Sequence, residues 1–141
     1  MILITIFVLL SYCLFFIWLT EGLRKSSYKT IPHLDELPSV SIIISARNEE
    51  NNLPNLLDSL SQLSYPIDKL EFIIVNDRSS DNTLQILNSA KENLFNLSVI
   101  HIKETPIGWT PKKWALQQAI EQSGNEIILQ TDADCTFNSE W

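Results

Sequence analysis

The residues with the clearest chemical potential in this sequence are two aspartates, Asp132 and Asp134, separated by a single alanine. They follow an apolar segment, so we expect them at the end of a strand, on a turn where both carboxylates can bind one hard divalent cation such as Mg²⁺ or Mn²⁺. Carboxylates crowded together without a cation would repel one another, which favours a metal as the reason for the pair. Such a cation keeps further coordination positions for phosphate oxygens.

Two other polar segments also follow apolar runs directly. The first covers residues 46–50, and the second covers residues 77–81. Because ligands of open parallel sheets bind beyond the carboxyl ends of the strands, we expect the three segments to meet at one edge of a sheet. For any single segment the alternative is that Asp, Asn and Ser end strands and cap helices, and we expect Asp81 to be such a cap.

The sequence lacks the usual glycine-rich phosphate loops. Its three glycines lie at positions 22, 108 and 124, so neither the GxGxxG dinucleotide motif nor the GxxxxGK[ST] P-loop is present. A diphosphate would instead be held by a metal and by a lysine, and Lys112 and Lys113 begin a predicted helix. With Thr110 as its expected cap and Pro111 in its first turn, this helix presents an N-terminus that favours anions. The alternative is that both lysines belong to a solvent-exposed surface.

The elements that must position these residues follow from the apolar pattern after residue 39. Strands are predicted at 40–45, 70–76, 97–102 and 126–131, and helices at 53–63, 82–92 and 112–122. The strand segments are rich in Ile and Val and do not alternate with polar residues, as expected when helices cover both faces of a parallel sheet. We therefore predict an α/β fold with a doubly wound, mostly parallel, Rossmann-like sheet. Asn52 is the expected N-cap of the first of these helices.

The N-terminal segment has a different character. Residues 1–20 contain no charged side chain, and residues 2–19 are almost entirely apolar. At about 1.5 Å per residue, such a helix covers a bilayer core of about 30 Å, so we predict a single membrane span. A cleaved signal peptide is the alternative, but the segment has neither a basic start nor a small-residue cleavage site. Arg24, Lys25 and Lys29 follow the span, and the positive-inside rule then places the rest of the chain on the cytoplasmic side.

Length and composition limit the remaining possibilities. The 141 residues suffice for one domain, and 45% hydrophobic with 19% charged residues indicate a packed globule. The formal net charge of -7 argues against nucleic acid as a partner, because phosphate backbones bind to basic surfaces. We expect a membrane anchor at 1–20, a linker at 21–37 and a domain at 38–141.

Three segments together resemble the first part of a family 2 glycosyltransferase with the GT-A fold. They are residues 40–60, 72–83 and 129–134, within a resemblance that covers roughly residue 38 to the end. Residues 108–116 are similar to the Gly-Lys-x-x-Ala segment of lipid-modifying members such as the ceramide glucosyltransferase-like group. Pro111 stands where that group has glycine, and Lys112 matches its lysine position.

The resemblance implies a nucleotide-sugar, with a UDP-sugar as the expected donor, bound together with Mg²⁺ or Mn²⁺. The residues that match nucleotide-sugar-binding positions are Ala46, Arg47, Glu49, Asp77, Lys112 and Asp132, and those that match metal-binding positions are Asp132 and Asp134. Within that set, Ala46, Arg47 and Glu49 would line the base and ribose pocket, and Asp77 would contact the uracil or its ribose. Lys112 would face the diphosphate. Asp132 would lie against the ribose and the metal, and Asp134 would ligate the metal directly.

The resemblance also implies an inverting displacement, which needs a general base to take the proton of the acceptor hydroxyl. In the family this carboxylate lies well downstream of the paired aspartates, so we expect it beyond Trp141 and expect this chain to hold the nucleotide-binding half alone. The predicted anchor makes a lipid-linked acceptor the expected one, such as a polyprenyl phosphate, carotenoid, hopanoid or ceramide-like alcohol.

Three alternatives are left open by the residues themselves. A membrane-tethered, non-catalytic fragment would bind a nucleotide without turnover. Residues 132–136 also fit the DxDxT motif of haloacid dehalogenase-like phosphatases, but that motif normally follows the first strand of its fold, whereas three predicted strands precede it here. A sugar nucleotidyltransferase would need a glycine-rich loop after the first strand, which residues 47–50 do not provide.

Overall fold

The computed structural model describes residues 1–27 and 37–141, and the chain divides into two units, an N-terminal helix and an α/β domain. Helix α1 covers Ile2–Ser27, and its Ile2–Lys25 portion is long and apolar enough to cross a membrane. That criterion uses length and composition alone, and a signal sequence or the core helix of a soluble protein also meets it. The helix continues past residue 20 into the predicted linker at 21–37, of which residues 28–36 lie outside the described part of the chain.

The α/β domain contains the predicted elements in the predicted order. Its bounds are β1 Val40–Ala46, α2 Leu53–Ser61, a single-turn 3₁₀ helix Ile67–Lys69, β2 Leu70–Asp77, α3 Thr83–Ala90, β3 Leu97–Ile102, α4 Pro111–Gln122 and β4 Ile127–Asp132. β1, β2 and β4 each extend one residue beyond their predicted ends. Asp77 and Asp132 are therefore the last residues of their strands.

The four strands form one parallel sheet in the order β3-β2-β1-β4. In its centre Ile44 of β1 aligns with Ile74 of β2 on one side and with Thr131 of β4 on the other. The chain proceeds from β1 outward to β3 and then returns to place β4 against the free side of β1. The prediction of a doubly wound parallel sheet is confirmed, and the strand order reverses between β1 and β4.

Helices cover the sheet on two faces, which explains why β1 and β2 are apolar without alternation. Ile42 and Ile44 belong to the core that includes Leu56 of α2 and Leu87 of α3. Ile43, between them, belongs to a second core that also includes the side chains of α4. Each fully buried side chain of this kind contributes about 1.5–3 kcal/mol of transfer free energy, so both faces favour the same register.

The predicted caps occupy cap positions without making the predicted bond. Asn52 precedes α2 and Thr110 precedes α4, and neither side chain makes a capping hydrogen bond. The Asn52 amide instead donates to Glu49 Oε2 at 2.7 Å. α2 also ends two residues before its predicted end, because the N–H groups of Gln62 and Leu63 bond three residues back rather than four.

Candidate functional site

A cavity of about 380 Å³ opens at the carboxyl edge of the sheet. Its lining consists of Ser45, Ala46, Arg47, Glu49, Asp77, Pro111, Lys112, Asp132, Ala133 and Asp134. The ends of β1 and β4, with the loops that follow them, provide most of this wall, so the cavity lies where the strand order reverses, as expected for a ligand site of a doubly wound sheet. All seven residues that the sequence singled out as site residues line this one cavity, and their individual roles stay predictions.

Lys112 and Asp132 form an ion pair across the cavity wall. The Lys112 Nζ lies 2.7 Å from Asp132 Oδ1, and the two side chains are 58% and 53% exposed. Lys112 lies in the first turn of α4, directly after Pro111, where backbone N–H groups have no partner within the helix. The N-terminal end of α4 therefore provides a lysine and a partial positive charge beside the Asp132 carboxylate.

Asp77, at the end of β2, is only 5% exposed, and it forms an ion pair with the next residue, Arg78. Arg78 Nε donates to Asp77 Oδ1 at 2.8 Å, and this hydrogen bond raises the pKa of Arg78 above its ordinary value despite an opposing desolvation. Arg78 has a left-handed backbone, with φ of 54°. Arg78 is not among the residues predicted for the site, although a basic residue directly after an apolar strand that ends in aspartate is a signal present in the sequence.

Asp81 joins the loop after β2 to the loop after β1. It accepts hydrogen bonds from the N–H of Thr83 at 3.0 Å and from the N–H of Glu50 at 3.2 Å. Desolvation raises the pKa of Asp81, but the bonds from Thr83 and Glu50 outweigh it and lower the pKa below the ordinary value. The predicted capping role is fulfilled toward the first residue of α3, while Asn82 occupies the N-cap position itself.

Asp132 and Asp134 are the carboxylates available to a metal ion. Both are exposed, on either side of the buried Ala133, and Asp134 Oδ1 accepts only a weak bond from Cys135 Sγ at 3.8 Å. Among the described residues, no group of three or more His, Cys, Asp and Glu side chains is placed to hold a metal ion. A cation held by these two carboxylates would have to take its remaining oxygens from a bound ligand and water.

A comparison with protein families identifies the kind of protein that carries this cavity. The family described as "Glycosyl transferase family 2" matches residues 41–141. This chain belongs to that family. The family prediction is confirmed, and the position of Asp132 at the end of the fourth strand favours glycosyl transfer over the phosphatase alternative.

Two relatives show the range of family 2 proteins that the chain matches. It is 35% identical over 102 residues to a 4,4'-diaponeurosporenoate glycosyltransferase of Staphylococcus haemolyticus, covering 72% of this chain and 26% of that protein. It is 36% identical over 104 residues to a beta-monoglucosyldiacylglycerol synthase of Trichormus variabilis, covering 74% of this chain and 22% of that protein. The chain thus spans about a quarter of the length of the curated relatives that it matches.

Solved structures support the GT-A fold. The mannosyltransferase PcManGT from Pyrobaculum calidifontis, in complex with GDP-Man and Mn²⁺, superposes with a TM-score of 0.72 at 27% identity, covering 88% of this chain and 35% of that one. The S. aureus protein TarS (residues 1-349), in complex with UDP, superposes with a TM-score of 0.63 at 32% identity, covering 72% of this chain and 29% of that one.

Proposed function

We propose that the cavity binds a nucleoside diphosphate sugar and that this chain is the nucleotide-sugar-binding part of a glycosyltransferase. The observation that carries the proposal is the meeting, in one cavity, of the Asp132 and Asp134 pair with Lys112 at the N-terminus of α4. A leaving nucleoside diphosphate needs this combination, because negative charge grows on its phosphates as the bond to the sugar breaks. When the nucleotide binds, the Lys112 ammonium group would leave Asp132 and bind a phosphate oxygen.

A divalent cation, Mg²⁺ or Mn²⁺, completes the proposed site. Asp132 and Asp134 would hold it, and when bound it acts as a Lewis acid that neutralises the developing phosphate charge. The solved complex of PcManGT with GDP-Man and Mn²⁺ supports this assignment for a protein of the same fold.

The nucleoside is proposed to lie against the β1 and β2 side of the cavity. Ala46, Arg47 and Glu49 follow β1 there, and Asp77 ends β2 beside them. The Asp77 carboxylate is fixed by Arg78, which leaves it a rigid acceptor for a ribose hydroxyl or a base N–H. We propose uracil as the base, supported by the TarS complex with UDP, and GDP is the competing ligand to test because PcManGT was solved with GDP-Man.

The acceptor is proposed to be lipid-linked. α1 would anchor the chain in a membrane as a single span, with the domain on the cytoplasmic side because Arg24 and Lys25 follow the apolar part. The names of both relatives support a lipid acceptor, since one forms a glucosyldiacylglycerol and the other glycosylates diaponeurosporenoate. Membership of a lipid-modifying subgroup, including the ceramide glucosyltransferase-like one, is part of the same proposal.

The transfer is proposed to invert the sugar configuration, and we assign its general base to none of the described residues.

Titration of the full chain in detergent micelles tests the proposal. UDP and GDP are titrated calorimetrically with Mn²⁺, with Mg²⁺ and with a chelator, against the wild type, Asp134→Asn and the control Asp68→Asn. Asp68 is an exposed aspartate at the opposite edge of the sheet. We expect metal-dependent binding of UDP that Asp134→Asn weakens about tenfold or more and that Asp68→Asn leaves unchanged.

A folded chain that binds neither nucleotide would overturn the proposal. Tighter binding of GDP than of UDP would overturn the choice of base alone. Binding of UDP-sugars without any transfer to lipid extracts would favour the non-catalytic alternative for this length of chain.

A further inference from the structure

Several hydrogen bonds join the two loops that flank the nucleoside side of the cavity, and three of them involve Asn48. Its Oδ1 accepts hydrogen bonds from the N–H of Ser80 at 2.9 Å and from the hydroxyl of Ser80 at 3.3 Å. Its own N–H donates to Ser79 Oγ at 3.0 Å. Asn48 belongs to the loop after β1 and the two serines to the loop after β2, so these bonds bridge the ends of adjacent strands.

Further bonds continue the bridge toward the two helices. The N–H of Glu49 donates to Thr83 Oγ1 at 2.8 Å, and Thr83 is fully buried. Glu50 Oε2 accepts from the N–H and from the side-chain amide of Asn82, each at 3.0 Å. Together with the bond from the Glu50 N–H to Asp81, these contacts form a connection that we call the loop bridge, defined by residues 48–50 and 79–83.

The loop bridge accompanies an uncommon backbone shape in both loops. Asn48 has φ of 56° and Arg78 has φ of 54°, both in the left-handed region, which asparagine enters more readily than most residues and which arginine rarely adopts. Both residues are next to cavity-lining residues in the chain. Arg47 and Glu49 flank Asn48, and Asp77 precedes Arg78. The backbone conformation at Asn48 and Arg78 therefore sets the chain direction at the neighbouring cavity residues.

We propose that Asn48 is a positioning residue of the nucleotide-sugar site, acting through the loop bridge on Arg47, Glu49 and Asp77. The inference rests on the proposed function, because the residues it positions are those assigned to the nucleoside. Asn48 does not line the cavity itself, and its side-chain oxygen is directed at Ser80. Its contribution is therefore to hold the wall in the binding shape before the nucleotide arrives, which reduces the ordering cost of binding.

Three variants separate this role from ordinary stability. Asn48→Gly keeps the left-handed backbone and removes the oxygen, and Asn48→Asp restores an oxygen in the same place. Asn125→Gly is the matched control, because Asn125 donates a hydrogen bond at 2.9 Å to the Val40 carbonyl, at the other end of β1. Each full-length variant is measured for its Kd for UDP with Mn²⁺, for thermal unfolding, and for amide hydrogen exchange without ligand.

We expect Asn48→Gly to raise the Kd about tenfold and Asn48→Asp to recover most of that loss, as for removal and return of a positioning hydrogen bond. The amides of Ser80, Glu49 and Glu50 should exchange faster in Asn48→Gly and be protected again in Asn48→Asp. Asn125→Gly should lower the unfolding temperature without changing the Kd. An Asn48→Gly variant that loses stability as the control does while binding UDP like the wild type would show a merely structural role and overturn the proposal.

Failure of the proposed function gives a different result. If the folded wild type binds neither UDP nor GDP, the function proposal is wrong. The hydrogen-exchange data then still test whether Asn48 holds the two loops in place. Unchanged exchange at the three amides would refute the positioning role in that case. Should Asn48→Gly fail to fold, Ser79→Ala removes the acceptor of the Asn48 N–H and serves the same comparison.

Discussion

Replacing Lys112 by methionine should separate the binding role of this lysine from its role in stability. Methionine keeps the length and apolar part of the side chain and removes the charge. In the ligand-free protein the lysine is paired with Asp132 at 2.7 Å, but both side chains are more than half exposed. An exposed ion pair contributes about 0–1 kcal/mol, so Lys112→Met should lower the free energy of unfolding by no more than that.

The expected effect on nucleotide binding is larger. A hydrogen bond between a lysine and a phosphate oxygen is charge-assisted and contributes about 1.5–3 kcal/mol, which corresponds to roughly a tenfold to hundredfold rise in the Kd for UDP. Binding of Mn²⁺ alone should change in the opposite direction. Removal of Nζ frees Asp132 Oδ1, so we expect the metal to bind up to about fivefold more tightly without nucleotide.

Calorimetry of UDP at fixed Mn²⁺, electron paramagnetic resonance of Mn²⁺ without nucleotide, and urea unfolding measure the three effects. Lys113→Met is the matched control, because Lys113 is exposed in the same helical turn and does not line the cavity. Equal losses of UDP affinity in the two variants would mean that the positive charge of α4 as a whole, and not a contact of Lys112, attracts the nucleotide. An unchanged UDP affinity in Lys112→Met would refute the assignment of this lysine to the diphosphate.

Two further variants test the loop after β2. The pKa of Asp81 is lower in the folded chain than in the unfolded one, so its contribution to stability is present above about pH 4 and is lost as the pH falls through the folded-state pKa. Urea unfolding between pH 3 and about pH 6 should therefore show a shallower pH dependence in Asp81→Asn than in the wild type, and identical slopes would contradict the pKa shift. Arg78→Met leaves the buried Asp77 without its cation and should lower the free energy of urea unfolding by more than Arg47→Met does at an exposed arginine of the neighbouring loop.

The sequence predicted the position of the cavity because the signals involved are local and strong. Asp77 and Asp132 each end an apolar strand, and a parallel sheet brings the carboxyl ends of its strands to one edge whatever the details of its loops. The assignment of α4 followed similarly from Pro111, since proline at the first helical position loses no hydrogen bond.

The contacts between the loops could not be predicted in the same way. The left-handed backbone of Asn48 accompanies hydrogen bonds to Ser79 and Ser80, some thirty residues away in the chain. Asn52 makes no capping bond because its backbone is already helical, with φ of -93° and ψ of -32°, whereas a side-chain cap normally needs an extended one. Just beyond α2, the N–H of Ser64 donates to the carbonyl of Ser139, a contact that no pattern within the helix contains. These features belong to tertiary placement, which overrides local preference.

The charges around the cavity explain why the proposed site should depend on a metal. Of the charged residues that line it, two are basic and four are acidic: Arg47 and Lys112 against Glu49, Asp77, Asp132 and Asp134. Arg78 offsets Asp77, and the remaining balance is still negative, as it is for the chain as a whole. A nucleoside diphosphate adds like charge, and each like-charge contact at about 4 Å costs on the order of 1 kcal/mol in water and more beside protein.

A divalent cation reverses that balance, which gives a test based on salt. In the presence of a chelator, higher ionic strength should strengthen the residual binding of UDP to the full chain, because salt screens a net repulsion. With saturating Mn²⁺ the same increase in salt should weaken binding, because it then screens an attraction. If salt weakens binding in the metal-free protein as well, Lys112 and the N-terminus of α4 dominate the cavity on their own, and the argument that the metal is needed to admit the diphosphate is wrong.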